Sequence, residues 1–217
     1  MKTTTQTTTR TTMHKLTRRA LGAASFALVF ASSVSLAQQA QTVRIRGTIE
    51  NVDGQVLLVK AREGASLAVK MADNVRLTAT VKAALADLKP GVYIGVTAMP
   101  QADGSQKAIA IHIFRDSQRG TGEGHRPWDL EPGSTMTNAA IDASVASADG
   151  QILTVKYKDG EKKVIITPQT IIVRYVDGEK SELKAGVRVF LNNAKKNPDG
   201  TIEAPTVTYG RDVAPPM

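Results

Sequence analysis

Residues 43–60 read VRIRGTIENVDGQVLLVK, and their alternation sets the fold class. Val43, Ile45, Gly47 and Ile49 fall on one face, while Arg44, Arg46, Thr48 and Glu50 fall on the other. A period of two is that of a half-buried β-strand. Asp53-Gly54 then breaks the pattern before a second apolar run, Gln55 to Lys60. Asp-Gly between two such runs marks a hairpin, because both residues tolerate positive φ.

This unit occurs twice. Asp53-Gly54-Gln55 with Leu57 and Val59-Lys60 returns as Asp149-Gly150-Gln151 with Leu153 and Val155-Lys156. Leu88-Lys89-Pro90-Gly91 returns as Leu183-Lys184-Ala185-Gly186, and Asp103-Gly104 as Asp199-Gly200. A constant spacing of about 95 residues identifies an internal repeat.

The first copy predicts further strands at Ser66–Met71, Val75–Thr80, Val92–Ala98 and Lys107–Phe114. The alanine-rich stretch Val81 to Leu88 predicts a short helix stopped by Lys89-Pro90-Gly91. The second copy follows with strands at Asn138–Ala148, Gln151–Tyr157, Lys162–Ile166, Thr170–Tyr175, Val187–Ala194 and Thr201–Tyr209, its helix reduced or lost. Pro205 places the last strand at an edge or a bulge, since proline donates nothing to a ladder.

Five or six short strands with one helical insert, in about 70 residues, suggest a small closed barrel of the OB type. A pair of small sandwiches is the competing arrangement. The expected organisation is all-β: lobe one over residues 43–114, a linker over 115–135, lobe two over 136–210 and a loose tail over 211–217. A lobe of this size buries only about 60% of the surface its unfolded chain exposes, so the two should pack together or on the linker.

Residues 1–37 read as a signal peptide. Lys15, Arg18 and Arg19 precede an apolar run from Leu21 to Val34, and Ser35-Leu36-Ala37 supplies small residues for cleavage near Ala37. The run is shorter than the roughly 18 residues of a spanning helix, so the mature chain is expected not to span a membrane. Thr17-Arg18-Arg19 leaves the twin-arginine route open beside ordinary export, and Met13 is a second candidate start. A periplasmic location follows. The full chain carries a net charge of +8, but five cations precede Ala37, leaving 23 against 20 carboxylates, or +3. With no cysteine, thiolate metal sites, thiol nucleophiles and disulfides are excluded.

The linker, RDSQRGTGEGHRPWDLEPGST from Arg115 to Thr135, holds the single tryptophan. Connections this long are usually functional or disordered, and Trp128 with Leu130 argues for order. Arg126 beside Trp128 forms either a cation–π recognition surface for a partner or a stacked seam between lobes. His112, His125 and Asp129 are candidate metal ligands, since imidazole and carboxylate suit divalent transition metals, though no ligand spacing motif accompanies them. Otherwise no cofactor is expected. Gly120, Gly122 and Gly124 lack the following helix that a phosphate loop requires, because Pro127 and Pro132 intervene. Nor does any nucleophile–base set surround Ser117 or Ser134, so no enzymatic activity is expected. Only nine aromatic residues occur in the chain, which disfavours the stacking platforms of single-stranded nucleic-acid binding.

The run RGTGEGHRPWDL-x-PGSTMTNA, residues 119–139, resembles the central signature of a group of uncharacterised exported proteins of Gram-negative bacteria. The flanking repeats resemble a secreted β-barrel domain, and the similarity covers roughly Val43 to Tyr209. The resemblance implies fold and compartment, and carries no catalytic residues. Some members bear metal-transporter permease labels, which a chain without several spanning helices does not fit. The expected function is a non-catalytic periplasmic binding or scaffolding module for an envelope protein or other periplasmic component, touching it at the linker and adjoining barrel rims. The alternative is a metal-binding accessory protein using His125 and His112.

Overall fold

The computed structural model describes residues 41–147 and 150–216, all within a compact unit spanning Gln38–Met217. The signal-peptide reading, residues 1–37, lies outside the described residues. Twelve strands form one continuous sheet, with no α-helix among the described residues.

β1 (Gln41–Asp53), β2 (Val56–Ala61) and β3 (Ser66–Lys82) form an antiparallel meander from the first repeat. They close into a five-stranded barrel with β11 (Arg188–Lys196) and β12 (Ile202–Gly210) from the second repeat. The closing contact is parallel, β12 beside β3 from Ile202↔Val69 to Gly210↔Thr80. Its core holds Ile49, Leu57, Val59, Val69, Leu191 and Val207.

The remaining strands follow the same order with the repeats exchanged. β7 (Thr135–Ser147), β8 (Gly150–Tyr157) and β9 (Gly160–Ile166) come from the second repeat. They pair with β4 (Tyr93–Pro100) and β5 (Gln106–Ile113) from the first. This ring surrounds a second core that includes Ile94, Ile111, Ile141, Leu153 and Val164. Strand pairing therefore crosses between the repeats, whereas the sequence assigned one barrel to each copy.

The crossing follows from one long-range pairing. The C-terminal half of β3 lies antiparallel against β10 (Ile171–Asp177), with Thr80 opposite Tyr175 at the centre. That pairing carries Lys82 away from its own ring, and the ten residues before Tyr93 join the near one. The expected helix over 81–88 is absent. β3 runs through to Lys82, leaving a single 3₁₀ turn at Leu85–Asp87, because so few residues before Pro90 cannot meet the cost of nucleating a helix. The turn still brings Leu88 into the second core, as Leu183 enters the first.

The expected third and fourth strands are one strand in the first repeat, which bulges between Met71 and Arg76. In the second repeat the equivalent stretch breaks at Thr167–Thr170 around Pro168, giving β9 and β10. Pro205 sits at a register shift between Ala204 and Thr206, as its chemistry requires. β5 bulges too. Ile109 is the unpaired residue, so Ala108, not Ile109, joins Ile111 and Ile113 in the core. The segment after β12, expected to be loose, is tied down. Arg211 pairs with Glu182 at 2.6 Å, and the Thr80 hydroxyl donates to the Val213 carbonyl at 2.6 Å.

Candidate functional site

The linker is an ordered strap. A 3₁₀ turn at Asp116–Gln118 leads into Gly120, Gly122 and Gly124, all at positive φ. No helix follows these glycines, so they do not form a phosphate loop. The Asn138 side chain donates to the Thr121 carbonyl at 3.0 Å, an approach that leaves its amide 3.2 Å from where a β-carbon at Gly122 would stand. β6 (Gly124–Pro127) then pairs with β7, Arg126 opposite Met136. The Trp128 amide donates to the Ser134 carbonyl at 2.8 Å, and the Ser134 hydroxyl closes the turn on the Glu131 carbonyl at 2.7 Å.

Trp128 is 8% exposed and shares an apolar cluster with Tyr93, Phe114, Met136, Tyr175 and Phe190. These residues come from both rings and from β10, so the strap covers the seam where the repeats exchange strands. Three guanidiniums surround the indole. Arg44 stands 4.2 Å from its centroid, Arg126 5.6 Å and Arg46 6.0 Å. Asp129 bridges two of them, 2.7 Å from Arg46 and 3.4 Å from Arg44. Burial opposes ionisation of Asp129, but the Arg46 hydrogen bond and both positive charges hold its pKa below the ordinary value.

The three candidate metal ligands do not meet. His112 is 3% exposed, stacked on Tyr175 at 4.8 Å and edge-on to Phe114 at 4.6 Å. His125 Nδ1 hydrogen-bonds the Thr137 hydroxyl at 2.8 Å. Asp129 is taken up by its two arginines. Among the described residues no three histidine, aspartate or glutamate side chains converge on a point.

Burial, and secondarily the Arg126 charge, push the His112 pKa down to about 3. The unfolded chain therefore takes up a proton near pH 6.5 that the folded chain refuses until about pH 3. A depressed folded pKa gives stability that is complete above the unfolded value and is lost as pH falls. The slope approaches about 1.4 kcal/mol per pH unit below pH 6.5, and the loss comes to about 2.7 kcal/mol between pH 7.5 and 4.5. His125, lowered mainly by burial and then by Lys162 and Arg126, acts in the same sense. Urea midpoints at pH 7.5 and 4.5 should show this loss in the native chain, and His112→Thr should flatten most of it.

Beside the strap lies a cleft of about 500 Å³. Its walls include Arg115, Gln118 and Arg126 from the strap, Arg76 from β3, and Asn192 and Asn193 from β11. Thr208 and His112, equivalent residues of the two repeats, both line it. Among the described residues no aspartate or glutamate does. Arg126 is held by a hydrogen bond to the Gly122 carbonyl at 2.8 Å, and Arg115 pairs with Asp177. Among the described residues neither Arg76 nor Arg126 has an ion-pair partner. Two buried polar atoms on cleft residues, Trp128 Nε1 and Asn138 Oδ1, have no hydrogen-bond partner among the described residues.

Arg126 and Trp128 were legible as candidates from the linker alone. Arg44, Arg46, Arg76 and the Asn192–Asn193 pair were not, because alternation marks such strand residues only as outward-facing. Comparison of the chain with protein-family models, with curated proteins and with solved structures finds no match. Among the described residues no helix is long and apolar enough to cross a membrane.

Proposed function

We propose that the mature chain is a non-catalytic periplasmic binding module, built from two OB-like repeats, whose contact surface is the strap and the rims beside it. Its kinship is with the exported β-barrel proteins that the strap sequence resembles, and its ligand belongs to the cell envelope. The observation that carries this reading is the cleft of about 500 Å³, walled by strap and strand residues together. Binding sites are concave, within about 300–1,000 Å³, and carry a few placed polar groups on an apolar base. Here that base is Phe114, Trp128, Tyr175 and Phe190, and the polar groups are arginines and amides. A strap serving only as a seam would have no reason to leave two guanidiniums unpaired at the edge of an aromatic cluster.

Photocrosslinking in intact cells tests the reading. A photoreactive residue in place of Arg126 or of Asn192 should trap a discrete envelope component. The same residue in place of Lys196, an exposed position outside the cleft, should not. Equal yields from all three positions would overturn the proposal.

A further inference from the structure

We infer that the cleft takes a small organic anion bearing hydroxyl groups, an acidic or phosphorylated sugar in chemical class. The inference rests on the binding reading above and names its ligand.

The balance of donors and acceptors carries it. Arg76, Arg115 and Arg126 line the cleft; Arg115 is paired with Asp177, but among the described residues no carboxylate lines the cleft or pairs with Arg76 or Arg126. The two neighbouring amides are turned so that they add donors. Asn192 Oδ1 accepts from Arg44 Nε at 3.1 Å, and Asn193 Oδ1 accepts from the Thr206 hydroxyl. Each amide nitrogen, with its two N–H groups, is then left for something else. Trp128 Nε1–H is a further buried donor without a partner. Donors in this excess call for a ligand rich in acceptor oxygens, and a charged oxygen forms the strongest bond to a guanidinium.

Asn138 Oδ1 adds the second requirement. It is an acceptor on a residue 5% exposed, and it has no donor. A carboxylate or phosphate oxygen cannot satisfy it, whereas a hydroxyl can donate to it. Both orphaned atoms are closed to solvent in the unliganded chain, so one ligand with an anionic group and hydroxyls complements them when the side chains over them part. Inorganic anions without an O–H, such as sulfate, supply only the first. Buried polar groups left without partners each call for an explanation, and an absent ligand is a standard one.

The chain's single tryptophan lines the cleft, so its fluorescence reports occupancy directly. Residues 38–217 are titrated with D-glucuronate, D-glucose 6-phosphate and D-glucose. The two anions should shift Trp128 emission saturably, and glucose should bind at least tenfold more weakly. Their ranking separates a carboxylate from a phosphate source. Arg76→Gln, at an exposed position, and Arg126→Gln should each weaken the tighter anion about tenfold or more, as loss of a charge-assisted bond does. Lys196→Gln should leave it unchanged. If glucose binds as tightly as both anions, the anion inference falls while the binding reading stands. If no probe moves the emission, the inference falls as well, and the binding reading is then decided by the crosslinks from Arg126 and Asn192.

Discussion

Gly95→Phe should cost about 3 kcal/mol or more, enough to leave much of the chain unfolded, and His112→Thr should restore a large part of the loss. A β-carbon at Gly95 would overlap the His112 ring and stand 2.8 Å from Asn138 Oδ1. The three residues lie side by side across neighbouring strands, Asn138 on β7, Gly95 on β4 and His112 on β5. The other ring holds the equivalent set, Arg46 on β1, Phe190 on β11 and Thr208 on β12. In one ring the small residue is the glycine and the large one the histidine. In the other the large residue is the phenylalanine and the small one the threonine.

The substitution pair thus copies a combination that the chain already tolerates at its repeat-related place. Overpacking a filled site costs about 1–3 kcal/mol and sometimes more, and residues in contact couple by about 0.5–3 kcal/mol. Urea denaturation of the two single variants and the double variant measures the coupling. A double variant no more stable than Gly95→Phe alone would show that the two positions do not share one volume.

That exchange of large for small bears on what could be read beforehand. Alternation from Val43 to Ile49, the Asp-Gly turns at Gly54, Gly104 and Gly200 and the register shift at Pro205 are local signals, and each survives folding because its cause lies within a few residues. The strand exchange has no such signal. Both repeats offer the same apolar alternation to a prospective partner, so periodicity alone cannot say whether β3 takes β5 or β12. The decision comes from the antiparallel contact of β3 with β10, made between segments roughly 95 residues apart. The hairpin from β7 to β8 is also four residues longer than that from β1 to β2, which hides the correspondence of Arg46 with Asn138.

The site divides along the same line. Trp128 stood out because a lone tryptophan in a glycine-rich linker has few ways to leave water. Arg44 and Arg46 fell on the polar face of a half-buried strand, where solvent is the default neighbour. Only the strap's return over β1 makes that face an inner one.

Trp128→Ala should lower stability by about 3–5 kcal/mol, the usual cost of truncating a buried aromatic, and the melting temperature by roughly 10 °C or more. The loss is large because the indole touches several partners at once. It packs against Phe190 at 6.5 Å, carries Arg44 on its face and holds the strap over the seam between the exchanged repeats. Trp128→Phe should cost far less, about 1–2 kcal/mol, for a specific reason. The indole Nε1 has no protein hydrogen-bond partner, so phenylalanine forfeits volume without breaking a bond. Arg44 and Arg46 would then keep an aromatic face and their carboxylate, Asp129. Trypsin provides the local measure, since Arg119 lies on the strap before Gly120, whereas Arg126 precedes Pro127 and is not cut. Cleavage there depends on how often the strap opens, so Trp128→Ala should speed it well beyond cleavage elsewhere, and Trp128→Phe only slightly. A strap merely resting on the surface would behave otherwise: Trp128→Ala would cost under about 0.5 kcal/mol, and trypsin would cut the native chain and both variants at one rate.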